Sequence, residues 1–215
     1  MAGDRWATFD CYGTLIDWSG GLRRELARVF GEERAEVQLQ RYHEVEPALQ
    51  AGGERTYREV MRAAMSELGA SIDEEDALGE ALPSWEPFPE VHAALEDARA
   101  RGWKLAILSN TDRDFIDASM KRIGVPFERA IVASEIASYK PAHRHWERFF
   151  DEVDVDRDRH VHVAQSHFHD VVPAHELGLR SIWINRYGER RDPPATRELP
   201  DLTLLPETLD ELVPA

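Results

Sequence analysis

The sequence predicts an α/β fold: a doubly wound parallel sheet with a small all-helical cap inserted after the first strand. Three observations lead there. Short apolar runs at residues 6–9, 105–108, 130–133, 161–164 and 181–184 are continuous rather than alternating, the pattern of strands covered on both faces. From about residue 89 to about residue 185 these runs alternate with helical patterns, which argues for parallel strands joined by right-handed crossovers. Residues 18–82, by contrast, hold helical stretches and no strand-like run.

The elements follow in order. The first strand, 6–9, leads directly into Asp10. Helical stretches are expected at 22–30, 36–50, 57–68 and 76–82, punctuated by Gly52-Gly53 and Gly69. Pro83, Pro87 and Pro89 mark the return to the sheet, so residues 16–85 read as the cap, with 1–15 and 86–215 as the core. Val91, Ala94, Leu95 and Ala98 follow the i, i+3, i+4, i+7 rule, and Gly102 ends that helix. Further helices are expected at 112–123, stopped by Gly124 and Pro126, at 145–153, and at 170–177, stopped by Gly178. The Pro-rich tail from residue 192 is expected to hold a short strand at 202–205 and a final helical turn.

The 215 residues allow one full domain with a smaller one, or a single large domain. The chain has 26 Lys+Arg against 41 Asp+Glu, a formal charge of -15. Such a field repels nucleic acid and anionic membranes, so neither is an expected partner. The expected partner is a small anionic substrate held by a local cluster of cations or amides, on a monomer or homodimer. No apolar run approaches the length of a membrane span, and the N-terminal stretch has no signal-peptide core. The expected location is the cytoplasm. With Cys11 as its single cysteine, the chain can form no intrachain disulfide.

Chemistry-bearing residues cluster where strands end. In an open parallel sheet, ligands bind beyond the carboxyl ends of the strands. Asp10 leaves the first strand there, followed by Gly13, and is placed either as a nucleophile or as an ordinary turn residue. Ser109-Asn110-Thr111 ends the second core strand before a helix, where a hydroxyl, an amide and free N–H groups can hold an oxyanion, or where Thr111 or Asp112 simply caps the helix. Lys140, before Pro141, follows the third strand, and its ammonium could neutralise two carboxylates or a bound anion. Asp170 closes the run Gln165-Ser166-His167-Phe168-His169-Asp170 after the fourth strand, as a helix cap or a second carboxylate. The four sites would converge on one cleft.

Together these residues resemble the haloacid dehalogenase superfamily over about residues 4–187. The match consists of Asp10-x-Tyr12-Gly13-Thr14-Leu15, Ser109-Asn110, Lys140-Pro141 and Asp170, in the family's order. The resemblance implies a Rossmannoid core with a helical cap, and hydrolysis through a covalent intermediate on Asp10. It implies catalytic roles for Asp10, Thr14, Ser109, Asn110, Lys140 and Asp170. Substrate contacts are expected from Tyr12, Cys11, Arg41, Gln165 and His167.

Two departures choose between branches of the family. Phosphatases of the superfamily carry an acidic Asp where this chain has Tyr12, whose phenol, with a pKa of about 10, is a poor acid partner at neutral pH. They also carry Gly-Asp where this chain has Ala164-Gln165, which removes a negative metal ligand. A halide leaving group needs no proton. The expected activity is therefore of the 2-haloacid dehalogenase type, with no cofactor. An Mg²⁺-dependent phosphatase, with Asp10, Tyr12 and Asp170 around the metal, is the enzymic alternative, and a non-catalytic binding protein of the same fold is the other. The family's cap arginine, which would grip a substrate carboxylate, aligns with Glu46, so Arg41, Arg55 or Arg58 would have to supply it. His160, His162, His167, His169 and His175 are expected to be solvated or hydrogen-bonded rather than metal-binding.

Overall fold

The computed structural model describes residues 3–215. β1 (Arg5–Phe9), β2 (Trp103–Ser109), β3 (Arg129–Val132), β4 (His160–Ala164), β5 (Arg180–Ile184) and β6 (Arg197–Leu199) form a six-stranded sheet in the order β3–β2–β1–β4–β5–β6. Every pairing is parallel, and Phe9 of the central strand lies beside Ile107 on one flank and Val163 on the other. The chain winds outward from β1 to β3, then returns to β4 on the opposite side. This reversal opens a crevice at the carboxyl ends of β1 and β4, and Asp10 is the first residue beyond β1.

Helices α1 (Trp18–Phe30), α2 (Glu32–Gln50), α3 (Tyr57–Leu68) and α4 (Ala77–Ala81) follow β1 without an intervening strand. The rest of the chain adds α5 (Val91–Ala100), α6 (Arg113–Ile123), α7 (Ala133–Ile136), α8 (Arg144–Glu152), α9 (Val172–Glu176) and α10 (Leu205–Leu212). The continuous apolar runs reflect burial on both faces of the sheet. Ala7, Phe9, Leu105 and Ile107 belong to one apolar cluster, while Trp6, Ala106 and Leu108 belong to another with Trp146 and Phe149. The first cluster continues through Leu22, Leu26, Tyr42, Tyr57, Met61 and Met65, so the helical segment shares a core with the sheet.

The start of α3 shows how the helical segment is held over the sheet. Thr56 and Glu59 form a reciprocal capping box. The carboxylate of Asp112, at the start of α6, accepts the N–H groups of Tyr57 and Arg58, both at 2.9 Å. Asp112 was a candidate cap for its own helix. Its side chain instead satisfies the free amides of a helix more than fifty residues away in sequence.

The tail departs from expectation. Residues 202–205 form a turn into α10, and the sixth strand is Arg197–Leu199. Leu202, Leu205 and Leu209 are all buried at helix-like spacing, and Pro206 sits in the first turn of α10, where its missing N–H costs nothing. The helix expected over 170–177 opens with a π-helical turn, His167–Val171, before α9.

Candidate active site

Asp10 is fixed by the turn that follows β1. Its N–H donates to the Val163 carbonyl at 3.0 Å, and the N–H groups of Leu15 and Ile16 return to the Cys11 carbonyl. Gly13 makes this reversal at φ +89°, a conformation that side chains rarely adopt, with Gln165 Oε1 against it. The turn brings the Thr14 hydroxyl to donate to Asp10 Oδ2 at 2.7 Å, while the Gln165 N–H donates to the Thr14 oxygen at 2.9 Å.

Lys140 joins the two carboxylates. Its Nζ donates to Asp10 Oδ1 at 2.9 Å, Asp170 Oδ1 at 2.6 Å and the Leu108 carbonyl at 2.8 Å. Asn110 spends its side-chain amide on positioning Lys140. Its Oδ1 accepts the Lys140 N–H at 2.6 Å, and its Nδ2 donates to the Lys140 carbonyl at 3.0 Å. Behind Asp170, His162 Nε2 lies 2.9 Å from the same Oδ1, and the Thr8 hydroxyl lies 2.8 Å from both His162 Nδ1 and His160 Nε2. His160 and His162 are both fully buried, which excludes the solvated role for them and leaves the hydrogen-bonding one.

The charges follow from these contacts. Burial pushes the Asp10 carboxyl up, and Lys140 opposes the rise while Asp170 adds to it. Burial also acts on Asp170, but Lys140 and His162 outweigh it and hold that carboxyl at about 2. Burial opposes the charge on Lys140, yet Asp10 and Asp170 raise its pKa above the ordinary lysine value. The arrangement is therefore one buried ammonium shared between two carboxylates. Asp170 Oδ2 and Ser109 Oγ are buried without hydrogen-bond partners, polar atoms that a bound molecule or water would satisfy.

These groups form the floor of a cavity of about 340 Å³. Asp10, Tyr12, Gly13, Ser109, Asn110, Lys140, Gln165 and Asp170 line it from the strand ends. From the helical segment come Trp18, Ser19 and Tyr57, and one face of α2 that presents His43, Glu46, Pro47 and Gln50. A larger hollow of about 470 Å³, beside Asp17, Arg24 and Pro87, contains none of the clustered groups.

Several expected contacts are not made. Cys11 is fully buried in the apolar core and does not line the cavity. Arg41 lies on the far side of α2, where it donates to Gln38 and the Glu67 carbonyl. Arg55 donates to the Leu49 carbonyl, and Arg58 pairs with Asp114 over the ring of Phe115. Among the described residues, no arginine lines the cavity. His167 turns away to the Pro193 carbonyl, and His169 lines the wall in its place. The Tyr12 hydroxyl bonds Ser119 Oγ at 3.0 Å, leaving the ring rather than the phenol at the cavity. Neither Glu46 nor His169 was singled out from sequence as a substrate contact.

The Tyr12 orientation also bears on metal binding. Of the trio Asp10, Tyr12 and Asp170, the phenol points elsewhere and Lys140 Nζ lies between the carboxylates. Among the described residues, no group of three or more His, Cys, Asp and Glu side chains is arranged to hold a metal ion. These residues do not fit the divalent site of the phosphatase alternative.

Glu46 has its own consequence. Its Oε1 accepts the hydroxyls of Tyr57 at 2.8 Å and Tyr42 at 3.3 Å, and burial raises its carboxyl to about 7. Between the unfolded value and about 7, the folded protein binds the extra proton, so stability falls as pH rises through that window. The expected loss is about 3 kcal/mol, complete above the folded pKa. Glu46→Gln keeps the shape and removes the ionisation. Urea midpoints should show the variant clearly more stable than the parent at about pH 8 and nearly equal to it at about pH 4. Equal midpoints at both would mean that Glu46 titrates normally.

Comparison with known proteins gives the family and the fold. The sequence model of haloacid dehalogenase-like hydrolases matches residues 5–172. An (S)-2-haloacid dehalogenase of Pseudomonas sp. (strain YL) is 28% identical over 199 residues, covering 84% of this chain and 82% of that protein. A phosphoserine phosphatase of Thermus thermophilus is 27% identical over 146 residues, 65% of this chain and 59% of its own. The L-2-haloacid dehalogenase of Xanthobacter autotrophicus, in a structure with chloropropionic acid covalently bound, shares the fold with a TM-score of 0.82 at 18% identity, over 96% of this chain and 98% of that one.

Proposed function

Because this chain belongs to the haloacid dehalogenase-like hydrolases, we propose that it cleaves the carbon–halogen bond of a small 2-halo carbonyl compound in two steps through Asp10, with residues 16–85 acting as the cap. An Asp10 carboxylate oxygen attacks the carbon from the side opposite the halogen. The new C–O bond forms as the C–X bond breaks, and the halide leaves with the bonding pair. Water then adds to the carboxyl carbon of the Asp10 ester, and the bond from that carbon to the product oxygen breaks. One water proton ends on the product hydroxyl, the other is released to solvent, and Asp10 is restored as a carboxylate. Lys140 keeps Asp10 ionised for the first step, and Thr14 orients it. The unpartnered Asp170 Oδ2 is the acceptor that would orient the hydrolytic water, and Ser109 Oγ is a free donor for the substrate carbonyl.

One observation carries this reading over phosphate-ester hydrolysis. The residue two positions after Asp10 is a tyrosine whose hydroxyl is bonded to Ser119, so the position beside the nucleophile offers no carboxylic acid to protonate a leaving alkoxide. A halide requires none. The phosphatase relative keeps the second reading alive, and one assay separates the two. A panel of 2-haloacids, 2-haloamides and phosphomonoesters is offered with EDTA and, separately, with Mg²⁺. Halide release that persists in EDTA is expected. Phosphate release that requires Mg²⁺, with no halide released, would replace the dehalogenase reading. The absence of any turnover or Asp10 adduct would favour a binding role.

A further inference from the structure

The wall of the cavity opposite its floor has an unusual balance of charge. Apart from Lys140, no lysine or arginine among the described residues lines it. Lys140 is itself bonded to two carboxylates and a carbonyl. Against it stand Asp10, Asp170, Glu46 and Glu189, in a chain whose formal charge is -15. The other titratable groups facing the space are His43 and His169, both driven towards the neutral form by burial, and the phenols of Tyr57 and Tyr187. Tyr42 bonds Glu46 from behind.

Glu46 is the informative residue. It is only 8% exposed, so its carboxyl is not a solvated surface group. Both phenols donate to Oε1, and no protein group among the described residues donates to Oε2. Gln50, one helical turn further along α2, is equally buried and lines the same wall. Glu46 lines the cavity, so an Oε2 without a protein donor is open to an N–H brought in by a ligand. A carboxylate placed beside it would supply repulsion instead.

We propose that the substrate carries an N–H donor where a haloacid carries its carboxylate, that is, that this cavity takes a small 2-haloamide, with Glu46 the residue that selects it. The proposal replaces the expectation of an anionic substrate, and it rests on the reading of Asp10 as a dehalogenating nucleophile. In the bound state the amide carbonyl meets Ser109 Oγ and the amide N–H meets Glu46 Oε2, so each unpartnered atom acquires a partner. Attack at the carbon bearing the halogen is unchanged, and the released product is the 2-hydroxyamide with a halide ion.

The test uses 2-bromopropionamide and 2-bromopropionate, which share the reacting carbon and leaving group and differ in charge. The ratio of their kcat/KM values for halide release, each divided by the uncatalysed hydroxide rate, is measured at about pH 8 for the parent and for Glu46→Gln. The parent should favour the amide by about tenfold or more, and Glu46→Gln should bring the ratio close to one by improving the carboxylate. A parent that prefers the carboxylate, or a ratio untouched by the substitution, overturns the proposal. Binding of the same pair to the inert Asp10→Asn protein, followed by NMR titration, separates this from the chemistry. Preferential binding of the amide with no halide released by the parent would uphold Glu46 selectivity and reject dehalogenation. Preferential binding of the carboxylate would reject the selectivity whatever the turnover.

Discussion

Asp10→Asn is expected to lower kcat/KM by about 10⁴-fold or more, because it removes the oxygen that forms the covalent bond while leaving the fold intact. The asparagine amide can still meet Lys140 and Thr14 in nearly the same place, so a loss of this size reports chemistry rather than unfolding. The covalent route makes a second, sharper demand. In a single turnover in H₂¹⁸O, with protein in excess, the water oxygen should enter the Asp10 carboxyl, and the product should carry an unlabelled oxygen taken from Asp10. Mass spectrometry of the Asp10 peptide reads this directly. Label appearing at once in the product, with none in Asp10, would mean direct attack by water and a different role for the residue.

Lys140→Met is expected to cost about 10²-fold or more in kcat/KM, or about 3 kcal/mol of transition-state stabilisation. Asp10 reacts as a carboxylate, so the rate falls as pH drops through its pKa. Burial and the Asp170 charge both raise that pKa, and Lys140 is the main influence lowering it. Without the ammonium, the acidic limb of the pH–rate profile must move to higher pH. Methionine keeps most of the apolar stem, so a profile from about pH 5 to about pH 9 isolates the charge. Near-normal kcat/KM with an unmoved limb would reduce Lys140 to a structural residue and leave the site resting on Asp10.

The sheet and the floor of the site were legible in the sequence because both depend on local pattern. Asp10, Ser109 and Asn110 come immediately beyond buried apolar runs, and a parallel sheet carries such residues to one edge. The wall of the cavity was less legible. On α2 the inward face includes Gln38, Glu46 and Gln50, whose polarity breaks the hydrophobic period that would have marked it. Arg41 precedes the inward Tyr42 by one residue, about 100° around the helix, and so points away. Cys11 was misjudged for a similar reason, since the turn after Asp10 sends alternate side chains to the core and the cavity. β6 escaped notice because only Leu199 of its three residues is buried.

The hydrogen bonds behind Asp170 form a row that runs into the sheet. An ionised Asp170 can only accept, so His162 presents its Nε2–H to it, and its Nδ1 faces the Thr8 hydroxyl. Thr8 has one hydroxyl proton for two ring nitrogens, so at least one of its contacts, to His162 Nδ1 or to His160 Nε2, runs from ring N–H to oxygen. His160, driven to the neutral form by burial, ends the row with an Nδ1 that has no partner. The row thus joins β4 to β1 and back to β4 before it ends on Asp170. The sheet interior supplies that carboxylate with a donor of its own, so Lys140 is not its sole partner and can also serve Asp10.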